Sequence, residues 1–176
     1  MNAYEFDFRY DWVSVTLYAL KSAIDSVLKK GEDEPWFDGL WQMEHAESIL
    51  GISYVAAQAY IVGAVEDVNR VRDSVGKNRL DKIYYYSDDP QPLPNGVSRI
   101  LLINSLANYY KHHDEWDKWP TNFTTKTLAD VGIVEGVEFP CCEASTKLGN
   151  EKQSDTLMNL LSIISEWRKH ILSKYQ

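Results

Sequence analysis

The sequence is poor in cysteine and in recognisable cofactor motifs. Its 176 residues include only two cysteines, Cys141 and Cys142, which are adjacent. Neighbouring cysteines rarely bridge each other without strain, and one such pair builds no zinc site, so we interpret both as thiols in a reducing compartment. The sequence also lacks a phosphate-binding P-loop, a dinucleotide-binding glycine motif, a zinc-protease helix motif and a calcium loop. A disulfide-stapled scaffold and the commonest nucleotide-binding signatures are therefore excluded.

Basic residues are also scarce and scattered. The chain has 18 Lys and Arg against 26 Asp and Glu, a formal net charge of −8. Residues 1–76 carry most of this excess, with 6 basic and 13 acidic side chains. A broad nucleic-acid face needs clustered Lys and Arg to displace counterions, and the sequence shows no such cluster. The acidic first half favours solubility or docking onto a basic partner.

Long apolar runs are missing as well. No stretch approaches 18 consecutive apolar residues, and the first residues lack the basic and apolar regions of a signal peptide. The composition is 44% apolar, 12% aromatic and 25% charged, which is typical of a soluble globular protein. We therefore expect a single domain over residues 1–176, in the cytoplasm, with no membrane span.

Helical periodicity dominates what is present. The strongest segment runs from about residue 38 to 75 and contains no proline. Its apolar residues recur at steps of four and three, the pattern of a long bundle helix. On this register Glu47 faces inward and Glu66 faces outward. The seam consists of Leu50, Tyr54, Ala57, Ile61, Ala64, Val68, Val71 and Val75.

Three further long helices are predicted. They lie at about 11–30, at about 97–115 and over the last part of the chain. Asn150 and Gln153 are predicted to form a capping box at the start of the last helix. Residues 121–150 are predicted to be irregular, with a short helix near 127–131. In residues 6–10 aromatic and charged side chains alternate, which is typical of an extended segment. The predicted fold is all-α, a four-long-helix bundle with an irregular loop and short-helix insertion between the third and last long helices.

Polar side chains recur at helical spacing after the apolar centre of the third helix. They are Asn104, Asn108, Lys111 or His112, and Glu115, and we call them the polar ladder. Buried amides and imidazoles are costly unless hydrogen-bonded, so the ladder is either a structural network or a site. As a site, His112 or His113 acts as general acid or base, because imidazole titrates near neutrality. Asn108 and Lys111 then orient or stabilise a phosphate during RNA cleavage that needs no metal or other cofactor. The neighbouring candidates for substrate binding are Asn104, Tyr109, Glu115 and Trp116.

This layout resembles the HEPN superfamily of helical domains. The family motif is an Arg, usually followed by a polar residue, with a His four to six residues on. Here Asn108 stands in the place of the arginine, Tyr109 follows it, and His112 or His113 matches the histidine. Many members are ribonuclease toxins or antiviral defence proteins, and others are non-catalytic binding domains. The resemblance implies a conflict or defence protein of a prokaryote or phage, either a degenerate endoribonuclease acting on RNA or a binding domain.

A metal site is an alternative use of the same helices. Glu44 and Glu47 lie three residues apart on the second helix, as do His112 and Glu115 on the third. Carboxylate and imidazole pairs on facing helices are how bundles hold Fe, Mn or Zn. Glu44 and Glu47 followed by Glu66 and Asn69 also resemble the acidic pairs of all-α nucleotide pyrophosphatases of the MazG type. The continuous seam places those two pairs about 33 Å apart along one helix.

The third interpretation is a binding protein without catalytic activity. An acidic helical domain with exposed tryptophans could neutralise a basic protein, as immunity proteins and antitoxins do, because tryptophan is enriched at interface hot spots. The aromatic residues near predicted helix ends are Trp36, Phe37, Trp41, Trp116 and Trp119. The long seam could also support a homodimer, but we expect a partner helix in the same chain to cover it instead.

Overall fold

The regular structure of the described residues is helical throughout. The computed structural model describes residues 6–34, 36–149 and 153–175, and within them it shows helices and no strand. The all-α class is therefore confirmed. The elements are α1 (Phe8–Asp33), α2 (Gly39–Ser74), α3 (Lys82–Tyr86), α4 (Arg99–His112), a 3₁₀ turn (His113–Glu115), α5 (Phe123–Asp130), α6 (Pro140–Lys147) and α7 (Gln153–Tyr175).

The long helix α2 is the common neighbour of the other elements. It packs against α1, α4, α6 and α7, while α1 also packs on α7 and α4 also packs on α5. The predicted seam faces this interior, and all of its residues except Val75 are buried. The helix runs unbroken past Gly51 and Gly63. Burial of this apolar surface is the main force that holds the neighbours on α2.

Short polar side chains define several helix starts. Asp38, Ser98 and Asn122 each accept hydrogen bonds from backbone N–H groups in the first turn of α2, α4 and α5. Asn122 and Thr125 form a reciprocal capping box, which satisfies two N–H groups at once. The helix predicted near residues 127–131 therefore begins earlier, at Phe123.

Two other sequence predictions need correction. Residues 6–10 were predicted to be extended, but α1 already begins at Phe8, where the Asp7 carboxylate accepts from the Tyr10 N–H. The segment 121–150 contains a second helix, α6, which starts at Pro140, where the missing N–H costs nothing. The capping role predicted for Asn150 lies outside the described residues.

A network of partly buried charges joins α1, α2 and α7. The Arg9 guanidinium donates to both carboxylate oxygens of Asp67, at 3.1 and 2.9 Å. Arg168 of α7 lies between Asp7 and Asp67, with N···O distances of 3.5 and 3.8 Å. The Tyr60 hydroxyl donates to Asp7, and burial followed by this bond raises the pKa of Tyr60 well above its usual range. The network fixes the start of α1 against the two helices that flank it.

The helix α2 has an unusual composition for an element of this size. By length and composition it is apolar enough to cross a membrane, with a mean hydropathy of 1.6 over its most apolar window. Half of that window is buried inside the fold. A central core helix of a soluble protein has these properties, and the remaining half of the window lies on the surface.

Candidate functional site

The polar ladder of α4 meets a glutamine of α2. The Gln58 side-chain amide donates to Asn104 Oδ1 and to Asn108 Oδ1, both at 2.9 Å. Lys111 Nζ donates to Gln58 Oε1 at 2.8 Å. Every polar atom of the Gln58 amide group is thus used in binding α4 to α2. The structure brings three of the predicted site residues together, but it does so in a network that is satisfied within the chain.

Close approach of the two helices accompanies this network. The ring of Tyr110 lies directly over Gly51, and a Cβ atom at residue 51 would lie 2.0 Å from Tyr110 Cδ2. Gly51 is therefore required for contact between α2 and α4 at this level. The spacing along α4 does not reveal Gln58 as the partner of the ladder. The sequence marks Gln58 only as an amide in the middle of an uncharged run, residues 48–65.

The two histidines have different surroundings. His112 is exposed, and its Nδ1 lies 3.2 Å from Glu115 Oε2. His113 is half-buried, with Nδ1 at 3.2 Å from the Tyr110 carbonyl oxygen and Nε2 at 3.1 Å from Asp114. Neither imidazole contacts the amides of the ladder, so the predicted catalytic residues divide into an internal network and a surface pair.

An aromatic cluster covers the end of α4. The Tyr109 ring stacks on His113 with 4.8 Å between centroids, and it contacts Trp116 and Trp119 at 5.8 and 6.0 Å. The two tryptophans contact each other edge-on at 5.7 Å. Burial, followed by the charge of Glu47, raises the pKa of Tyr109 to about 12. These rings form one partly buried aromatic cluster at the end of α4.

Glu47 binds the backbone at the start of α6 and is not placed as a metal ligand. Its carboxylate oxygens accept from the backbone N–H groups of Cys141 and Cys142 at 2.8 and 2.9 Å. A carboxylate at the start of a helix satisfies free N–H groups and interacts favourably with the helix dipole. The prediction that Glu47 faces inward is confirmed. Burial, and then the Glu47 charge, raise the pKa of both thiols, which keeps them protonated.

The predicted metal ligands are not assembled in the described residues. Glu44 is exposed, Glu47 is engaged with α6, and only His112 and Glu115 lie together. Within residues 6–34, 36–149 and 153–175 no group of three or more His, Cys, Asp or Glu side chains is arranged to hold an ion.

The pyrophosphatase pattern is also separated along the helix. Glu66 pairs with Arg70 and Arg79 on the surface. The Asn69 side chain is buried and bonds to the backbone of Leu80. No break in α2 brings this end back towards Glu44.

The α1–α2 connection forms a different kind of surface. Residues 32–44 contain five carboxylates and no Lys or Arg. Trp36 is 61% exposed and Trp41 is 48% exposed, and the Lys30 ammonium lies 4.7 Å from the centroid of the Trp36 ring. We call this surface the hairpin end. It comprises Glu32, Asp33, Trp36, Leu40, Trp41 and Glu44, all exposed.

A groove adjoins the hairpin end. It has a volume of about 280 Å³ and is lined by Met43 of α2 together with residues of α6 and the segment before it. Phe139 and Cys142 supply apolar surface, and Glu138 and Glu143 supply carboxylates. An apolar groove with acidic side chains suits the aliphatic stem and charged head of a Lys or Arg side chain.

Comparisons with known proteins give no further guide to the site. No family model, no curated protein and no solved structure matches this chain. The resemblance to the HEPN superfamily therefore stays a prediction, which rests on the helical layout and on the short motif around Asn108 and His112.

Proposed function

We propose that this chain is a non-enzymatic cytoplasmic binding protein that holds a basic protein partner against the hairpin end, in the manner of an immunity protein or antitoxin. The observation that carries the proposal is the pair of exposed tryptophans, Trp36 and Trp41. They lie among five carboxylates at the connection between α1 and α2. Desolvated tryptophans supply much of the binding energy at interfaces, and the carboxylates supply attraction and orientation for a basic surface.

The polar residues of α4 support this proposal over catalysis. Asn108 and Lys111 are already bound to Gln58, and His113 is held between aromatic rings and Asp114. A phosphate-binding role would require Lys111 to leave Gln58, and it would leave part of the ladder unsatisfied. The hairpin end, in contrast, already exposes Trp36 and Trp41, and Lys30 of the same chain lies over the Trp36 ring.

The contact between Lys30 and Trp36 supports a cationic group as the partner of the hairpin end. The Lys30 ammonium lies over the rings of Trp36 and Phe37 at 4.7 and 4.8 Å. A cation over an aromatic face is attracted by the ring quadrupole, and arginine makes this contact more often than lysine. An arginine of the partner would find one such ring face and neighbouring carboxylates.

The test uses a fluorescent arginine-rich peptide as a stand-in for the basic partner. We expect binding that weakens with added salt, and at least about tenfold weaker binding in the double variant Trp36→Gln/Trp41→Gln. The matched control is Tyr18→Gln, an exposed aromatic of α1 away from the hairpin end. Equal affinity of the double variant and the control would contradict the proposal.

A HEPN-like ribonuclease is the second candidate, and the exposure of His112 beside Lys111 favours it. The test is cleavage of total RNA in EDTA by the wild type and by His112→Ala/His113→Ala. Cleavage that disappears in the double variant would support metal-independent catalysis at the end of α4. No cleavage by the wild type would remove this candidate.

A further inference from the structure

One face of the α1–α2 pair is apolar and exposed, away from both the hairpin end and the end of α4. We call it the α1–α2 face. Trp12 is 76% exposed and Val15 is 69% exposed. Its large and small side chains are Phe8, Trp12 and Val15 on α1 and Ile52, Ala59 and Val62 on α2, all exposed.

The face contains no charged side chain of α2. Residues 48–65 include no Asp, Glu, Lys or Arg, although several of them lie at the surface. Between the two helices runs a groove of about 280 Å³, lined by Trp12, Thr16, Ala56 and Ala59 among others. An exposed apolar patch of this kind marks an interaction surface in a soluble protein.

The spacing on both helices is that of a helix–helix seam. Phe8, Trp12 and Val15 are separated by four and three residues, and Ile52, Ala59 and Val62 by seven and three. These steps keep side chains on one side of a helix and fit the seam between packed helices. The predicted seam of α2 is buried inside the chain, so this second stripe is the one left for a helix of another molecule.

We infer that a second copy of this chain docks on the α1–α2 face, so that two helix pairs form a four-helix interface about a two-fold axis. The sizes of the side chains make the face complementary to itself. The row on α1 carries large residues, whereas Ala56 and Ala59 of α2 leave a groove beside it. A two-fold rotation places α1 of each copy on α2 of the other, so Trp12 of one protomer enters the groove of its partner and the reverse contact forms at the same time.

The area of the face agrees with a weak but specific dimer. Its five large side chains expose on the order of 600 Å² together, of which the two aromatic rings supply about half. Two copies would then bury roughly 1,200 Å², near the lower limit of stable interfaces. We therefore expect a dissociation constant in the micromolar range rather than an obligate dimer.

Charge favours a second copy over a lipid surface as the occupant. Helices that lie on membranes carry Lys and Arg on the borders of their apolar face. Here residues 1–76 have a net charge of −7, from 6 basic and 13 acidic side chains. Anionic lipids would repel this half of the chain. A second copy brings the same net charge, but residues 48–65 on the α2 side of the face carry none of it. Arg9 also lines the groove, and its charge is paired with Asp67 of the same chain.

The experiment is analytical ultracentrifugation of the full chain over a range of about 1–200 μM. We expect a shift from the 20.3 kDa monomer towards twice that mass. Trp12→Gln removes the side chain that fills the groove, and Ala59→Glu places a charge inside it. Both should weaken association at least tenfold. The matched control is Phe123→Gln, since Phe123 is exposed on α5, outside both helices of the face.

Three results would overturn the inference. The first is a wild type that remains monomeric at the highest concentration. The second is association that Ala59→Glu leaves unchanged, with circular dichroism showing that the variant is folded. The third is a monomer whose tryptophan emission shifts to the blue with vesicles of zwitterionic lipid, which would identify a membrane as the occupant. Because Trp12 and Ala59 lie outside the hairpin end, peptide binding there should survive both substitutions.

Discussion

Replacing Glu47 by alanine tests whether this buried carboxylate holds α6 on α2. In the native fold its two oxygens accept from the N–H groups of Cys141 and Cys142. Alanine removes both acceptors, and Cys141 and Cys142 are too deeply buried for water to replace them fully. Each buried donor left without a partner costs about 1–3 kcal/mol. We therefore expect Glu47→Ala to lower the free energy of unfolding by about 3 kcal/mol.

The assay is urea unfolding at pH 7, with a thermal scan as a second readout. For a domain of this length, about 3 kcal/mol corresponds to a melting temperature lower by roughly 6–12 °C. The control is Glu44→Ala, one turn earlier on the same helix, where the side chain is exposed. An exposed surface substitution should change stability by no more than about 0.5 kcal/mol.

Cysteine reactivity gives an independent measure of the same contact. Burial and then the Glu47 charge raise the pKa of the two thiols, so both react slowly. Glu47→Ala removes the charge and loosens α6, and labelling by a disulfide reagent at pH 8 should become faster. Equal unfolding midpoints for Glu47→Ala and Glu44→Ala, together with equal labelling rates, would refute the assignment of Glu47 as the cap of α6.

Three further substitutions test other contacts. Gly51→Ala places a methyl group 2.0 Å from the Tyr110 ring and should lower stability in urea by about 1–3 kcal/mol, whereas Gly39→Ala, at an open position, should change it little. Gln58→Leu leaves the amides on α4 without their donor, and unfolding free energy should fall by about 2 kcal/mol. Burial raises the pKa of Asp88, but hydrogen bonds from Lys174 and Tyr175 and the neighbouring His170 outweigh this and lower the pKa from 3.8 to about 2. The charged form therefore contributes stability above pH 4 that is lost as the pH falls through 2, so Asp88→Asn should be less stable than wild type at pH 7 and equal to it near pH 2.

Periodicity predicted the parts of this fold that depend on one helix at a time. The seam of α2 is strictly spaced over 26 residues. Extended backwards, the same register predicts that Glu47 faces inward, without any knowledge of the partner helix. The all-α class follows from the same kind of signal. Such patterns are local, so a single sequence records them fully.

The two incorrect predictions, for residues 6–10 and for the segment that contains α6, have causes that are not local in the sequence. Alternating residues 6–10 resemble a strand, but Asp7 and Arg9 alternate because they meet charges on α2 and α7. The short helix α6 has no long apolar stripe, and its start depends on Glu47, which lies 93 residues before Pro140 in the sequence. Contacts between distant segments decide both elements, and spacing alone does not record them.

The candidate site shows the same limit. The recurrence of Asn104, Asn108 and Lys111 indicated a polar ladder, and the structure places all three on one side of α4. What the ladder binds depends on Gln58 of another helix. A single amide in an uncharged run is the only trace of that partner in the sequence, and it does not distinguish a structural network from a substrate site.

The buried charges around Arg168 determine how the molecule can open. Arg168 of α7 lies between Asp7 before α1 and Asp67 of α2, and Arg9 of α1 completes the network. Detaching α1 would take Asp7 and Arg9 away and leave Arg168 and Asp67 to rearrange in the interior. The side chains of Arg168 and Asp67 are only 6% and 12% exposed, so the loss of these partners would destabilise the fold.

Partial unfolding that begins at α1 is therefore suppressed, although first helices of many domains fray easily. The amides of α1 and α7 should exchange with solvent together, at a free energy close to that of global unfolding, as one cooperative unit. Segments far apart in the sequence would then share one opening reaction.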